Sequence, residues 1–454
     1  MKTFRLLAVL FALGASYETY GSHGPYATHD RAQSPSRAFA VFADPELTTL
    51  IERAVAQNQD LAAAAARVDQ ARALAGAARA DFFPQLAVDA TAARQRNLDN
   101  GYHASDYARL PGVATWELDL WGRIRKVTTA DRAEAGAAQA AYEAARVSLS
   151  AEVAQTHYTL RATELERATV ERSVTTRRDA RRIIADRAEI GTSSPLDLAR
   201  ADTELATAEA EFAAVSQRAA TLRHGLAVLL GEDNFVAVAT AQLPAPPEVP
   251  AELPADLLQR RPDVFAAQLS LDAASARIGV ARAAFFPTIA LTGSAGWESS
   301  DFSDLLSGDT RVWSFGPKLY LPLFQGGRNR ANLKRSEAAF AEQSARYRQS
   351  VLVAFRDVRD ALAAVRFTTE QASATERAAA AARRAADLSR IRYDAGAVSY
   401  LEVVESERSA LDAERALARL RGQRLVAAAS LIRALGGGWE NPAPAKTAPL
   451  LARN

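Results

Sequence analysis

Trp116-Glu117-Leu118-Asp119-Leu120-Trp121-Gly122-Arg123 changes character within eight residues. Trp116, Leu118 and Leu120 alternate with Thr115, Glu117 and Asp119, the period of a strand with one apolar face. From Arg123 to Ile190 the texture turns helical, with Gly136 as the one weak break. The same change recurs at Leu321-Pro322-Leu323-Phe324-Gln325-Gly326-Gly327-Arg328. Leu118, Leu120 and Trp121 match Leu321, Leu323 and Phe324, and Arg123 and Arg125 match Arg328 and Arg330 after a short insertion.

Working outward, the chain is a duplication at an offset of about 203 to 205 residues. Asn58-Gln59-Asp60-Leu61 matches Arg261-Pro262-Asp263-Val264, and Phe82-Phe83-Pro84 matches Phe285-Phe286-Pro287. Gly191, Ser194, Leu196 and Asp197 match Gly396, Ser399, Leu401 and Glu402. The expected organisation is a signal peptide (1–16), an N-terminal arm (17–44), a first repeat (45–242), a proline-rich linker (243–254), a second repeat (255–440) and a tail (441–454). Each repeat opens with an Ala-rich helical stretch, Leu47 to Ala80 or Pro262 to Ala284, which Phe-Phe-Pro ends. Two strands follow, then a helix of great length. Arg328 to Ala395 contains no Gly or Pro, enough for a rod on the order of 100 Å. The rods stop at turns around Gly191 and Gly396, where glycine suits a left-handed C′ position. Ser194 is placed to cap the returning helix, with Pro195 at its first position. The returning helices run from Leu196 to Leu230 and from Tyr400 to Leu435. Their apolar stripe is thin (Val404, Leu411, Ala418, Leu425), which suits side-by-side helices, and the charged residues between read as a solvated face.

The remaining strands alternate in the same way. Ile289, Leu291, Ala295 and Trp297 alternate with Thr288, Ala290, Thr292 and Ser294; Trp313, Phe315, Leu319, Leu321 and Leu323 alternate with Ser314, Gly316, Lys318 and Tyr320. The first strand, Gln85 to Asn97, ends polar. Trp116, Trp121, Trp297 and Trp313 lie in or beside these segments, where an aromatic belt at a membrane interface belongs. Four strands do not close a barrel, and an open edge is forbidden in lipid. Three copies would supply about twelve.

The start of the chain has the form of a secretory signal: Lys2 and Arg5, an apolar core from Leu6 to Leu13, then Gly14-Ala15-Ser16. A net charge of +2 gives no electrostatic case for nucleic acid. With no cysteine, thiolate metal sites and a cysteine nucleophile are excluded. None of the five histidines pairs with another at metal-ligand spacing, and no nucleotide or hydrolase motif occurs, so no catalytic, cofactor or metal residue is assigned. Gly436-Gly437-Gly438-Trp439 ends a helix instead of opening one, so it reads as a helix stop.

Several of these segments resemble the outer-membrane factors of tripartite efflux pumps, the TolC/OprM/NodT-like family. They are Leu257-Leu258-Gln259-Arg260-Arg261-Pro262-Asp263-Val264, the two strand-to-helix joints, Arg392-Tyr393-Asp394-Ala395-Gly396 and Ala434-Leu435-Gly436-Gly437-Gly438-Trp439. The double arginine and the closing Gly-Gly-Gly-Trp point to the branch serving resistance-nodulation-division pumps. The resemblance implies a homotrimer with a shared 12-stranded transmembrane β-barrel, and long helical hairpins forming an α-barrel across the periplasm. It implies a periplasmic adaptor and an inner-membrane pump as partners, and no enzymatic activity. The adaptor would dock at the tips, Gly191, Ser194, Gly396 and Ser399. Leu401 and Glu405 fall on the constriction positions, and Arg200, equivalent to Glu405 in the first repeat, is expected to pair with it. Many relatives carry a lipidated cysteine after the signal; Ser16 stands there, so no lipid anchor is expected. Two other readings remain at this point: a periplasmic coiled-coil scaffold without a pore, and the duct of a type I secretion system.

Overall fold

The computed structural model describes residues 35–96, 104–235, 243–247 and 261–438. The signal segment with Ser16, the arm up to residue 34, Leu257 to Arg260 and Trp439 lie outside the described residues. Eight α-helices and five strands follow in chain order among the described residues: α1 (Pro35–Phe39), α2 (Pro45–Gln57), α3 (Gln59–Ala80), β1 (Gln85–Val88), β2 (Thr91–Arg96), β3 (Ala104–Leu118), α4 (Arg123–Glu189), α5 (Pro195–Leu230), α6 (Pro262–Ala283), β4 (Thr288–Ser299), β5 (Arg311–Tyr320), α7 (Arg328–Asp394) and α8 (Tyr400–Ala434). The order α3–strands–α4–α5 recurs as α6–strands–α7–α8. None of these helices is long and apolar enough to cross a membrane.

The first helical stretch is two helices, not one. Asn58 leaves helical geometry, and its side chain accepts a hydrogen bond from Leu61 N to cap α3. Its repeat equivalent, Arg261, occupies the same position before α6 without such a cap. Arg261 works differently: its guanidinium bonds Asp263, Asp357 on α7 and the Ala434 carbonyl at the end of α8. One side chain thus ties three helices together where the second repeat begins.

The strands form an antiparallel sheet in which β3 pairs with β4, β4 with β5, and β1 and β2 both with β3. β1 and β2 are one strand broken at Asp89-Ala90, and Pro111 explains the break. Asp89 N donates to the Pro111 carbonyl at 3.0 Å, but proline has no N–H to return the bond. On the other side Pro111 faces Gly296, where any Cβ would overlap Pro111 Cα and the Leu110 carbonyl. β3 therefore begins at Ala104, well before the alternation noted at Thr115. β5 ends at Tyr320, short of Leu321 and Leu323, because Pro322 cannot continue the ladder.

The register puts the alternating apolar residues on one face. Leu118, Ile289 and Leu319 form one cross-strand row; Trp116, Leu291 and Pro317 the next; Leu86, Ala114, Gly293 and Phe315 a third; Val88, Gly112, Ala295 and Trp313 a fourth. Much of this face is bare: Trp313 is 81% exposed and Phe315 70%. The other face carries Gln85, Thr115, Glu117, Thr292, Ser294, Ser314 and Lys318, with a Ser294–Ser314 hydroxyl bond of 2.8 Å.

Each rod leaves the sheet through a left-handed glycine, Gly122 (φ 75°) or Gly327 (φ 87°). At the first joint Glu117 binds Arg123 through two 2.8 Å bonds, and the Asp119 carboxylate accepts from the backbone N–H of Ile124 and Arg125. The second joint has proline and tyrosine at the matching positions, and Asn329 donates to the Ala284 carbonyl instead.

α4 is the central rod, packed on α3, α5, α6 and α8. It passes Gly136 without a break, because that glycine accommodates Leu269 of α6. Gly422 of α8 sits where a Cβ would overlap that of Ala162, so it sets how closely α8 approaches α4. The main core lies at mid-height, where Phe39 and Phe42 of the N-terminal segment, Ile51 of α2, Tyr158 of α4, Leu226 and Leu230 of α5 and Leu425 of α8 are buried together.

Not all the charge is solvated. Exposed pairs such as Arg366–Glu370 on α7 fit the sequence reading, but Glu166 on α4 is 1% exposed. It receives Arg218 from α5 at 3.1 Å, Arg415 from α8 at 3.2 Å, and a two-pronged bond from Arg419 at 2.9 and 2.5 Å. The expectation of a purely solvated charged face fails here, because a seam of small residues leaves room for long guanidinium side chains to reach one carboxylate. Burial raises the Glu166 pKa, and Arg419, Arg218 and Arg415 outweigh that to leave it below the ordinary carboxylate range.

Two outcomes test this packing. Gly422→Val should destabilise the chain by about 1–3 kcal/mol through overpacking, read as a lower thermal midpoint of the detergent-solubilised protein. Glu166, with its depressed folded pKa, contributes stability that is present above its unfolded value of about 4.3 and is lost as pH falls through the folded value. Glu166→Gln should therefore lower stability at neutral pH, by about 3 kcal/mol, while flattening the loss of stability on acidification. An unchanged acid profile would mean that Glu166 is not ionised in the folded protein.

Candidate functional site: the hairpin tips and the apolar band

The tips are two turns built alike. At the first, Gly191 takes φ 77°, and Thr192 N and Ser193 N bond back to the Arg187 carbonyl at 2.8 and 3.2 Å. At the second, Gly396 takes φ 72°, with Gly396 N on the Tyr393 carbonyl and Ala397 N on the Arg392 carbonyl, both at 2.9 Å. These are glycine helix stops of the Schellman kind. Open space surrounds both glycines, so their identity is a matter of backbone conformation and not of crowding. Ser194 caps α5 through Leu196 N at 3.2 Å, with Pro195 at the first position. Ser399 holds the equivalent place before α8 without a side-chain cap; its carbonyl accepts from Glu402 N instead. Ile190, Leu196, Leu388 and Ile391 lie exposed near the turns, so each tip offers apolar surface.

Behind the turns the two hairpins meet. Ile184 of α4, Ala201 of α5 and Tyr400, Val403 and Val404 of α8 form a small buried cluster, with the Tyr393 ring tilted against Tyr400 at 5.7 Å between centroids. Burial, with Glu407 and Glu204 nearby, pushes the Tyr400 phenol up to about 12. Above this cluster Glu204 of α5 is buried between Arg177 of α4, at 2.5 Å, and Arg408 of α8.

Leu401 and Glu405 share the opposite face of α8, turned away from Val403 and Val404; both are exposed, Leu401 by 39%. Arg200 does not pair with Glu405. It lies 3.7 Å from Asp197, one turn earlier on its own helix. The link between hairpins near the tip is Arg408–Glu204, roughly one turn deeper. Glu204 was missed in the sequence, although it falls on the spacing of the buried alanines Ala201 and Ala208.

At the far end of the molecule, the sheet register sets Trp116, Trp297 and Trp313 on one face. Trp297 and Trp313 occupy adjacent rows toward one end of the apolar band. Trp116 and Trp121 lie toward the helical end, their indole N–H groups donating to the Phe82 and Pro287 carbonyls at 2.9 and 2.6 Å. Trp121 stacks on Phe286 at 4.9 Å. Aromatics thus lie toward both ends of the band.

The comparisons agree with this geometry. The family described as "Outer membrane efflux protein" matches twice, over residues 50–232 and 253–437. The solvent efflux pump outer membrane protein SrpC of Pseudomonas putida is 35% identical over 430 residues, covering 93% of this chain and 91% of that protein. The outer membrane protein OprJ of Pseudomonas aeruginosa is 35% identical over 411 residues, covering 87% and 85%. Among solved structures, the outer-membrane channel OprN superposes with a TM-score of 0.84 at 32% identity, covering 91% of this chain and 96% of that one. CusC superposes with a TM-score of 0.81 at 32% identity, covering 87% and 93%. The fold is that of these channels, an α-barrel of long hairpins continuous with a β-barrel, and the protein resides in the outer membrane and extends into the periplasm. The chain belongs to the outer membrane efflux protein family.

Proposed function

We propose that this channel is the outer-membrane duct of a tripartite pump of the resistance-nodulation-division type, and that it exports small molecules passively as a homotrimer. The observation that carries this reading is the sheet itself. It has a bare apolar face and two unpaired edges, β1/β2 on one side and β5 on the other. In lipid those edges need partners, and neighbouring copies are the partners that close a barrel. A scaffold without a pore has no use for such a face. Relatives named for solvent and cation efflux favour small cargo over a secreted polypeptide. The double-arginine segment and the closing glycines, by resemblance, favour the same pump class.

In this reading the adaptor docks on the apolar tips at Gly191, Ser194, Gly396 and Ser399, and the inner-membrane pump loads the duct from below. Leu401 and Glu405, turned away from their own hairpin, form an apolar ring and an acidic ring around the three-fold axis. Such rings restrict flow by steric closure and dewetting, and favour cations. Arg200 contributes no bond to these rings in this reading; its partner is Asp197. No chemical step is needed: the duct conducts, and other components select and drive.

Native mass spectrometry in detergent should give three copies, and planar-bilayer recording should give small, cation-preferring currents. Leu401→Ala combined with Glu405→Ala should raise single-channel conductance and reduce the preference for cations. Currents identical to wild type would remove these residues from the constriction. Gly396→Val forces a β-branched residue into a left-handed conformation in open space, so the trimer should persist while docking weakens. Cells carrying it should lose resistance to pump substrates; full resistance would count against the tip as the docking surface.

A further inference from the structure

The start of α2 and the middle of α4 bring three metal-binding side chains together. One donor atom each of Asp44, Glu46 and His157 lies within 4.8 Å of the other two. Asp44 and His157 are buried, with side chains 6% and 3% exposed, and Glu46 is half-buried. The chain brings them together from more than a hundred residues apart, which is why histidine spacing alone did not reveal them.

Two features set this group apart from an ordinary buried ion pair. First, His157 Nε2 and Asp44 Oδ2 face each other at 3.4 Å, too far for a well-formed hydrogen bond, and the neighbouring Tyr158 hydroxyl is buried beside them. A buried imidazole nitrogen left in this way forfeits the free energy of its lost water. Second, the separation is long for a hydrogen bond but suits two ligands of one cation. With zinc–ligand bonds of about 2.0–2.1 Å, the edge of a coordination tetrahedron is about 3.3–3.4 Å.

The carboxylate is already held by other donors on both oxygens. Asp44 Oδ1 accepts from the backbone N–H of Glu46 and Leu47 at 3.1 and 3.2 Å, and Oδ2 accepts from Arg161 at 3.0 Å. Such outer hydrogen bonds hold ligating carboxylates in place at metal sites. Two carboxylates match the charge of a divalent cation, and Arg161 brings the formal sum of these groups to +1.

We propose that Asp44, Glu46 and His157 bind one divalent transition-metal cation of the zinc class per protomer, clasping the start of α2 to α4. One imidazole and two carboxylates with a fourth position for water is a donor set that zinc accepts. The clasp would sit beside Phe42 and Tyr158, whose rings pack at 5.1 Å, and would fasten the N-terminal segment to the central rod.

The test uses the full-length channel in detergent, stripped with chelator and dialysed. Titration calorimetry with zinc chloride should show one saturable site per chain, and zinc should raise the thermal midpoint. Glu46→Gln and His157→Gln should each weaken binding about tenfold or more. Asp44 is left intact because it also caps α2. Zinc-edge X-ray absorption should report one imidazole and oxygen ligands in the wild type. Absence of saturable binding, equal affinity in Glu46→Gln, or a spectrum without imidazole would each overturn the proposal. Glu46 is half-exposed, so its variant decides the matter even if His157→Gln fails to fold.

Discussion

The structure depends first on the hydrogen-bonding demand of backbone groups in lipid. An unpaired N–H or C=O in hydrocarbon costs several kcal/mol, so a sheet with free edges is stable there only when other strands complete it. That demand accounts for the oddities of the sheet. Pro111 removes a donor from the middle of β3, and the neighbouring strand breaks opposite it. Gly296 then gives up its side chain so that β4 can pass the same residue. The bare rows from Leu118 to Trp313 would be a liability in water; against acyl chains they are the stabilising surface.

Below the sheet the solvent changes, and so does the means of cohesion. The rods carry too few large apolar residues for a deep core. They adhere through small residues that allow close approach, as at Gly422 and Ala162, and through carboxylates enclosed by arginines. Glu166 and Glu204 each bond helices of both hairpins, so the second repeat is attached to the first by charge at two heights. Removing one member of such a group leaves an uncompensated buried charge, which makes these positions less tolerant than their apolar surroundings.

Features with a strong local cause were legible in the sequence. Alternation over β4 and β5 survives into the structure because a period of two maps directly onto a face. The tips were legible because glycine and Ser194-Pro195 impose their conformations on neighbours alone. What escaped was non-local or doubly caused. Asn58 sits within a helical texture, and only its bond to Leu61 N reveals two helices. The early part of β3 hides behind Pro111, whose cost is met on other strands. Arg200 was matched to Glu405 through the duplication, yet Asp197 on the same helix is the nearer partner. Glu204 and Glu166 looked like surface charge because nothing along the chain shows that arginines of other helices converge on them.

The joints between sheet and rods have a mechanical meaning. A helix of 67 residues is on the order of 100 Å long, so one degree of rotation at its root displaces its far end by about 1.7 Å. At the first root, Glu117 and Asp119 grip the opening turn of α4 with several charge-assisted bonds; at the second, among the described residues, Asn329 of α7 donates to the Ala284 carbonyl and no carboxylate takes the place of Glu117 or Asp119. The two lever arms of one protomer therefore have unequal angular stiffness. Three protomers would set stiff and compliant arms alternately around the ring, so the near six-fold likeness of the duplicated hairpins reduces to a three-fold mechanical symmetry.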